Sequence, residues 1–197
     1  MKMLKIEKLL VNSRWSKKRV LKLASKLLDF IELDNKTDFL ELGCGNGLVS
    51  KYLARNYSSS VIGIDVDPEQ IELARKGTNN TPNIRFLEAD ATNLPLDDSS
   101  FDVVLSFGVF HHILNWQDAL KEIKRVLRPG GYFVYADLVY PETITRMDSS
   151  SSYSFGLVTI NIDKLNSFIK QSGFRTIHSL LTKSFVCRNY EAVYRRD

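Results

Sequence analysis

Between Thr37 and Gly173, short apolar runs alternate with segments of helical spacing, and this alternation limits the possible folds more than any other property of the chain. Phe39–Leu42, Val61–Asp65, Ile84–Glu88, Phe101–Ser106 and Gly131–Asp137 are rich in Val, Ile, Leu and Phe and short enough to be strands. Leu48–Tyr57, Pro68–Lys76 and Trp116–Leu127 lie between them and read as helices. Pro68 suits a first helical turn, where its missing donor costs little, and Pro129-Gly130-Gly131 is a stop signal for the third helix. Strands separated by helices pair in parallel with helices on both faces. Right-handed crossovers then leave few topologies. The expected class is α/β, with a doubly wound sheet.

The flanking stretches add to this frame. About Lys5 to Ile31 reads as an amphipathic helix, with Leu21, Leu23, Ala24, Leu27, Leu28 and Ile31 on one face and Lys and Arg on the other. Ser149–Ser154 is polar and reads as a mobile loop. Asn161 can cap a helix from Ile162 to Ser172, which Gly173 ends. Two more strands are predicted, about Arg175–Leu181 and Phe185–Tyr194. Thr182-Lys183-Ser184 would turn between them, giving an antiparallel hairpin at the end of the parallel sheet. No repeat or linker divides the chain. It reads as one domain, 1–197: a helical cap (1–36), a ligand-binding core (37–138), and a substrate-side segment with the hairpin (139–197).

The 197 residues, 44% hydrophobic and 25% charged, suit one soluble domain with a sizeable core. No run approaches the roughly 18 apolar residues of a membrane helix, so no membrane insertion is expected. The N-terminal residues mix charge with apolar side chains, unlike a secretory signal. Cys44 and Cys187 are too few for a disulfide framework or a cysteine-rich zinc site, and a reducing cytoplasm is the expected setting. The net charge is +4. Lys17, Lys18, Arg19, Lys22 and Lys26 cluster near the start and Arg195-Arg196 near the end; they could meet RNA or an anionic substrate, or form a solvated face.

The segment Glu41-Leu42-Gly43-Cys44-Gly45-Asn46-Gly47 follows a strand and opens a helix. Glycine there permits positive φ and close approach of a ligand, and the helix start offers unpaired N–H groups. The dinucleotide fingerprint needs two residues between its second and third glycines. Here only Asn46 separates Gly45 from Gly47, so the loop fits a pyrophosphate poorly and a dehydrogenase is a distant reading. Asp65 ends the second strand about 20 residues further on, where an acid can accept from both hydroxyls of a ribose. Asp67 is the expected cap of the helix that begins at Pro68. Asp90 lies at the next strand end, where a carboxylate could accept from an adenine amino group.

With these motifs in order, the chain resembles the class I S-adenosylmethionine-dependent methyltransferases, and within them the ubiquinone/menaquinone-methyltransferase-like (type 11) group. The resemblance runs from about Thr37 to Leu138 and more loosely to Phe174. Besides the glycine segment it rests on Val61–Pro68, Glu88–Ala91, Leu94-Pro95-Leu96, Ser99–Val104 and Leu127–Gly131. It implies a Rossmann-like, seven-stranded sheet whose seventh strand is antiparallel, with S-adenosylmethionine as cofactor and S-adenosylhomocysteine as product. Gly43, Cys44, Gly45 and Gly47 would wrap the methionine part, with Glu41 supporting either the loop or the methionine amino group. Asp65 would hold the ribose, Val66 would pack on the adenine, and Asp90 with the Ala91 backbone would read its edge. Ser106 would lie near the methionine end through its backbone.

The resemblance also locates the chemistry. A sulfonium is already an activated methyl donor, so the protein's task is orientation, worth about 7–11 kcal/mol of barrier. A general base adds about 100- to 10,000-fold when the nucleophile carries a proton. His111 and His112, after the fourth strand, are the base candidates, or else pack and hydrogen-bond locally. Adjacent histidines point in different directions and have no evident third ligand, so no metal is expected. Cys44 reads as a packing residue and Cys187 as core. Arg14 and Trp15 fit a lid or a plain amphipathic helix; Tyr153 and Phe155 could line a substrate pocket.

A small-molecule acceptor is the leading expectation, since little beyond a catalytic core is evident. RNA or protein methylation is the alternative, although Ser106-Phe107-Gly108-Val109 lacks the Asn-Pro-Pro-aromatic signature and there is no Pro-Cys motif. A non-catalytic cofactor-binding regulator is the third reading.

Overall fold

The computed structural model describes residues 14–34, 36–57, 60–78, 81–139, 160–183 and 188–197. Five of the apolar runs become parallel strands: β1 (Phe39–Leu42), β2 (Val61–Asp65), β3 (Ile84–Glu88), β4 (Phe101–Phe107) and β5 (Leu127–Val139). Strands β6 (Phe174–Lys183) and β7 (Arg188–Arg196) pair antiparallel with each other, and β7 pairs antiparallel with β5. The sheet order is β3-β2-β1-β4-β5-β7-β6. The direction of winding reverses between β1 and β4. A crevice therefore opens at their carboxyl ends, where open α/β sheets bind ligands.

The central strands are buried on both faces, as parallel strands covered by helices must be. One face packs Phe39, Val61, Val103, Leu105 and Val134 against α1 (Arg14–Leu28), α2 (Leu48–Asn56) and α3 (Pro68–Arg75). The other packs Leu40, Leu42, Ile64, Val104 and Phe133 against α4 (Trp116–Val126) and α5 (Ile162–Gln171). The α/β class and the antiparallel end of the sheet match the expectation from sequence. So do two caps: Asp67 accepts from the Glu69 N–H at 3.0 Å, and Asn161 accepts from the Lys164 N–H at 3.0 Å.

Other boundaries differ. The third predicted helix ends at Val126, before Pro129-Gly130-Gly131, and β5 begins at once. Phe101 pairs with Leu127 but Val103 pairs with Tyr132, so the proline and glycines form a bulge rather than a helix stop. Arg128, within the bulge, donates to Asp102 at 2.6 Å and to Asp38 at 2.9 Å, which ties β5 to the amino ends of β4 and β1.

The predicted N-terminal helix is described from Arg14 onward, with Ala24, Leu27 and Leu28 buried in the core. Its basic face lies against β7: Arg19 donates to Asn189 at 3.4 Å and Lys26 pairs with Glu191. The start of that helix, the Ser149–Ser154 loop with Tyr153 and Phe155, Ser184 of the predicted turn, and residues 185–187 of the predicted last strand, Cys187 among them, lie outside the described residues, as do the side chains of Arg14, Trp15 and Lys17. Thr182 and Lys183, expected to turn, instead extend β6 opposite Asn189 and Arg188. Among the described residues, no helix is long and apolar enough to cross a membrane.

Candidate active site

The glycine segment joins β1 to α2 at the switch point. Gly47 has φ 73°, and a Cβ there would lie 2.5 Å from Cζ of Phe86 and 3.0 Å from Cβ of Ala74, so only glycine lets the loop close onto β3 and α3. At Gly45, among the described residues and apart from its chain neighbours, the only atom within 4 Å of such a Cβ is Oε1 of Gln70, at 3.7 Å. Gly47 is thus needed for packing, whereas Gly45 leaves its backbone accessible. The loop is held by Cys44 N–H to the Ile64 carbonyl at 2.8 Å and Gly47 N–H to the Cys44 carbonyl at 2.8 Å. Cys44 is buried, and burial pushes its thiol well above the ordinary range, which agrees with packing and not with nucleophilic chemistry.

Asp65 is buried at the end of β2. Its Oδ2 accepts from the Gly45 N–H at 2.9 Å and its Oδ1 from the Asp67 N–H at 2.9 Å. One side chain therefore links the glycine loop to the start of α3, a bracing role that sequence reading did not anticipate. A carboxylate has about four acceptor sites, so capacity for a ligand remains. Burial raises the Asp65 carboxyl, and the two backbone donors oppose the shift.

Glu41 shares the same loop but faces α2. Its Oε2 accepts from the Ser50 N–H at 2.8 Å and from the Ser50 hydroxyl. Of the two expected roles, this contact is the loop-supporting one. Burial pushes the Glu41 carboxyl up to about 8, against the lowering effect of Ser50. Val66, beside Asp65, is an exposed apolar side chain. The Ala89 N–H donates to the Asp65 carbonyl at 3.1 Å, bringing the end of β3 alongside. Asp90 follows, exposed, with Oδ1 accepting from the N–H and hydroxyl of Thr92, both at 2.8 Å, and Ala91 is half-buried beside it. Ser106 is fully buried between Leu42 and Tyr135 in register, so its side chain belongs to the core and only its backbone can border the crevice.

Past β4, one turn of 3₁₀ helix (Phe110–His112) carries the two histidines. Nδ1 of the buried His111 is hydrogen-bonded to Oδ1 of Asp137, and the His111 N–H donates to Oδ2 at 3.3 Å. The half-buried His112 lies with its ring centroid 4.1 Å from that of His111. Among the described residues, no group of three or more His, Cys, Asp or Glu is placed to hold a metal.

Two residues escaped sequence reading. Asp137 had the same signal as Asp65, an acid near the carboxyl end of an apolar run. Gln70, in the first turn of α3, is buried against the glycine loop, and neither atom of its amide has a partner among the described residues.

Comparisons with known proteins agree with this fold. A phthiotriol/phenolphthiotriol dimycocerosates methyltransferase of Mycobacterium tuberculosis is 45% identical over 100 residues, 50% of this chain and 37% of that protein. The O-methyltransferase cnsE of Penicillium expansum is 34% identical over 143 residues, 70% of this chain and 52% of that one. The alignments thus span about half or less of these relatives' own length. A solved S-adenosylmethionine-dependent methyltransferase of Aquifex aeolicus shares the fold, with a TM-score of 0.73 at 18% identity over 98% of this chain and 99% of that one. Residues 40–135, from β1 into β5, match the methyltransferase domain family of type 11, and over that stretch the chain is a methyltransferase domain of this family.

Proposed function

We propose that the chain binds S-adenosylmethionine at the carboxyl ends of β1, β2 and β3 and methylates a small-molecule acceptor in the cytoplasm. The observation that carries the reading is the braced loop: Gly45 is open on its ligand side while its N–H is fixed by Asp65. The residues present suit the cofactor. Gly43, Cys44, Gly45 and Gly47 would surround the methionine part, with Glu41 holding the loop through Ser50. Asp65 has acceptor capacity for ribose hydroxyls, Val66 offers an apolar surface for a base, and Asp90 with the Ala91 backbone lies at the next strand end. Ser106 would border the methionine end by its backbone. The stretch 1–36 then serves as a cap and 139–197 as the acceptor-side segment.

Bound S-adenosylmethionine supplies a methyl group already activated on a sulfonium. The chain's contribution is to fix the loop and the carboxylates before binding, so that little ordering remains to oppose it.

Calorimetric titration with S-adenosylhomocysteine tests the reading. Binding is expected, and Asp65→Asn should weaken it by about 1.5–3 kcal/mol, the usual range for a hydrogen bond to a charged group. Unchanged affinity removes Asp65 from the site. No heat with wild-type protein removes the function.

A further inference from the structure

Asp137, which the cofactor reading above does not use, is a buried carboxylate at the carboxyl edge of the sheet. Its Oδ1 accepts from the Leu138 N–H at 2.7 Å and faces Nδ1 of His111, and its Oδ2 takes the His111 N–H. Among the described residues, no lysine or arginine pairs with it. An oxygen that already accepts from a backbone N–H is an acceptor, so Nδ1 carries the imidazole proton and Nε2 presents a lone pair. Nε2 takes no hydrogen bond from any described residue, and the His111 side chain is about 10% exposed, sheltered but reachable. Cε1, adjacent to Nε2, lies 3.9 Å from where a Cβ on Gly108 would sit. Gly108 is the first residue past β4, and its N–H donates to the Ala136 carbonyl at 2.8 Å. The ring's Cε1 edge therefore stands beside the Gly108 turn that follows β4, on the β4–β5 side of the switch point from Gly45 and Asp65.

We propose that His111 is the proton acceptor of the reaction, that Asp137 is the residue positioning it, and that the methyl acceptor is a hydroxyl compound, an alcohol or a phenol. The inference rests on the methyl-transfer reading above. A neutral amine attacks with its own lone pair and needs no base beforehand. A neutral hydroxyl is a weak nucleophile and must lose its proton as it is methylated. In the balanced step the acceptor's O–H proton passes to Nε2 of His111, and the oxygen's electron pair forms the new C–O bond. The S–C bond breaks with its pair left on sulfur, giving a neutral thioether. The imidazolium is held against Asp137 until its proton leaves to solvent. The carboxylate fixes the tautomer and stabilises that cation, as a general base needs.

The test compares His111→Asn with Asp137→Asn. Asparagine at 111 keeps an N–H near the Nδ1 position for Asp137 but removes Nε2. A structural role would tolerate it; a base role would not. With carbon-13 methyl-labelled S-adenosylmethionine and a small-molecule extract, wild-type protein should give a labelled methyl ether. His111→Asn should lower that transfer by about 100- to 10,000-fold with S-adenosylhomocysteine affinity unchanged. Asp137→Asn should lower kcat by about tenfold or more, with KM held. Nitrogen-15 spectra of histidine-labelled protein, taken without cofactor, should show His111 as the Nδ1–H tautomer, and Asp137→Asn should disturb it. Wild-type transfer in His111→Asn, an Nε2–H tautomer in the parent protein, label on nitrogen, carbon or sulfur, or no labelled product despite S-adenosylhomocysteine binding would each overturn the proposal. Failure of the parent protein to bind S-adenosylhomocysteine overturns the cofactor reading instead, and the tautomer then decides the dyad alone.

Discussion

At the ends of β1, β2 and β3 the crevice is formed largely by main chain. Gly45, the loop amides and the turn after β2 are fixed by contacts between the neighbouring strands β1 and β2, with Asp65 reaching 20 residues back to brace them. At the ends of β4 and β5 it is formed by side chains. His111 acquires its orientation from Asp137, 26 residues away on the next strand. A main-chain site is specified by glycines and nearby acids and is complete once the sheet forms. A side-chain site depends on two strand ends reaching the correct register and on further residues that can vary with the acceptor. Under the proposed function, this division would let one cofactor half be combined with different acceptor sides, in keeping with function residing in sites grafted onto a common fold.

Glycine substitutions test the difference most severely. Gly47→Ala places a methyl group against Phe86 and Ala74 and forces a residue with φ 73° to carry a Cβ. Left-handed strain and overpacking together should cost about 2–5 kcal/mol, read as a lower urea midpoint. Gly108→Ala also meets positive φ, 67°, but among the described residues its Cβ would find only Cε1 of His111, at 3.9 Å. It should cost about 1–2 kcal/mol, with the catalytic rate changing more than cofactor affinity. Equal stability losses in the two variants would break the comparison.

Glu41 offers a pH test confined to the cofactor half. Its carboxyl rises in the folded state from an ordinary 4.5 to about 8, chiefly through burial. Between those values the folded chain holds a proton that the unfolded chain releases. This contribution to stability is fully present below the unfolded value and is lost as pH rises through the folded one. Glu41→Gln keeps the shape and the acceptor for Ser50 but cannot titrate. The difference in urea midpoint between wild type and Glu41→Gln should therefore move against wild type from about pH 5 to about pH 9. A difference that stays flat across that range would mean that Glu41 is already ionised in the folded protein.

The unequal construction also explains what could be read in advance. Alternating apolar runs and helical spacing carried the sheet, its crossovers and the caps at Asp67 and Asn161, because each of these is set by residues within a few positions. The glycine loop and Asp65 were legible from residue type and spacing, although the bond between them, across 20 residues, was not. The bulge at Arg128–Gly131 was not, because the helix there ends early and the strand is pulled back by contacts to Asp38 and Asp102, far off in sequence. Asp137 was missed because its partner is fixed only by the β4–β5 register. Glu41 could be identified as a loop acid, but its alignment with Ser50 depends on how α2 lies over β1, which no local pattern encodes.

The smallest expected effect concerns the basic helix. Lys26 pairs with Glu191, with side chains 47% and 14% exposed, and Nε2 of His178 lies 3.7 Å from the same carboxylate. Two of the cations that suggested a nucleic-acid surface, Arg19 and Lys26, are thus directed at β7. A pair this open to solvent should contribute about 0–1 kcal/mol, so Lys26→Met should shift the urea midpoint little, and less again at high salt. Because Lys26 meets Glu191 on β7, three strands along the sheet from β1, S-adenosylhomocysteine affinity should not change. A clear loss of cofactor affinity in Lys26→Met would show that α1 is coupled to the glycine loop through α2, and the two halves of the crevice would then have to be treated as one cooperative unit.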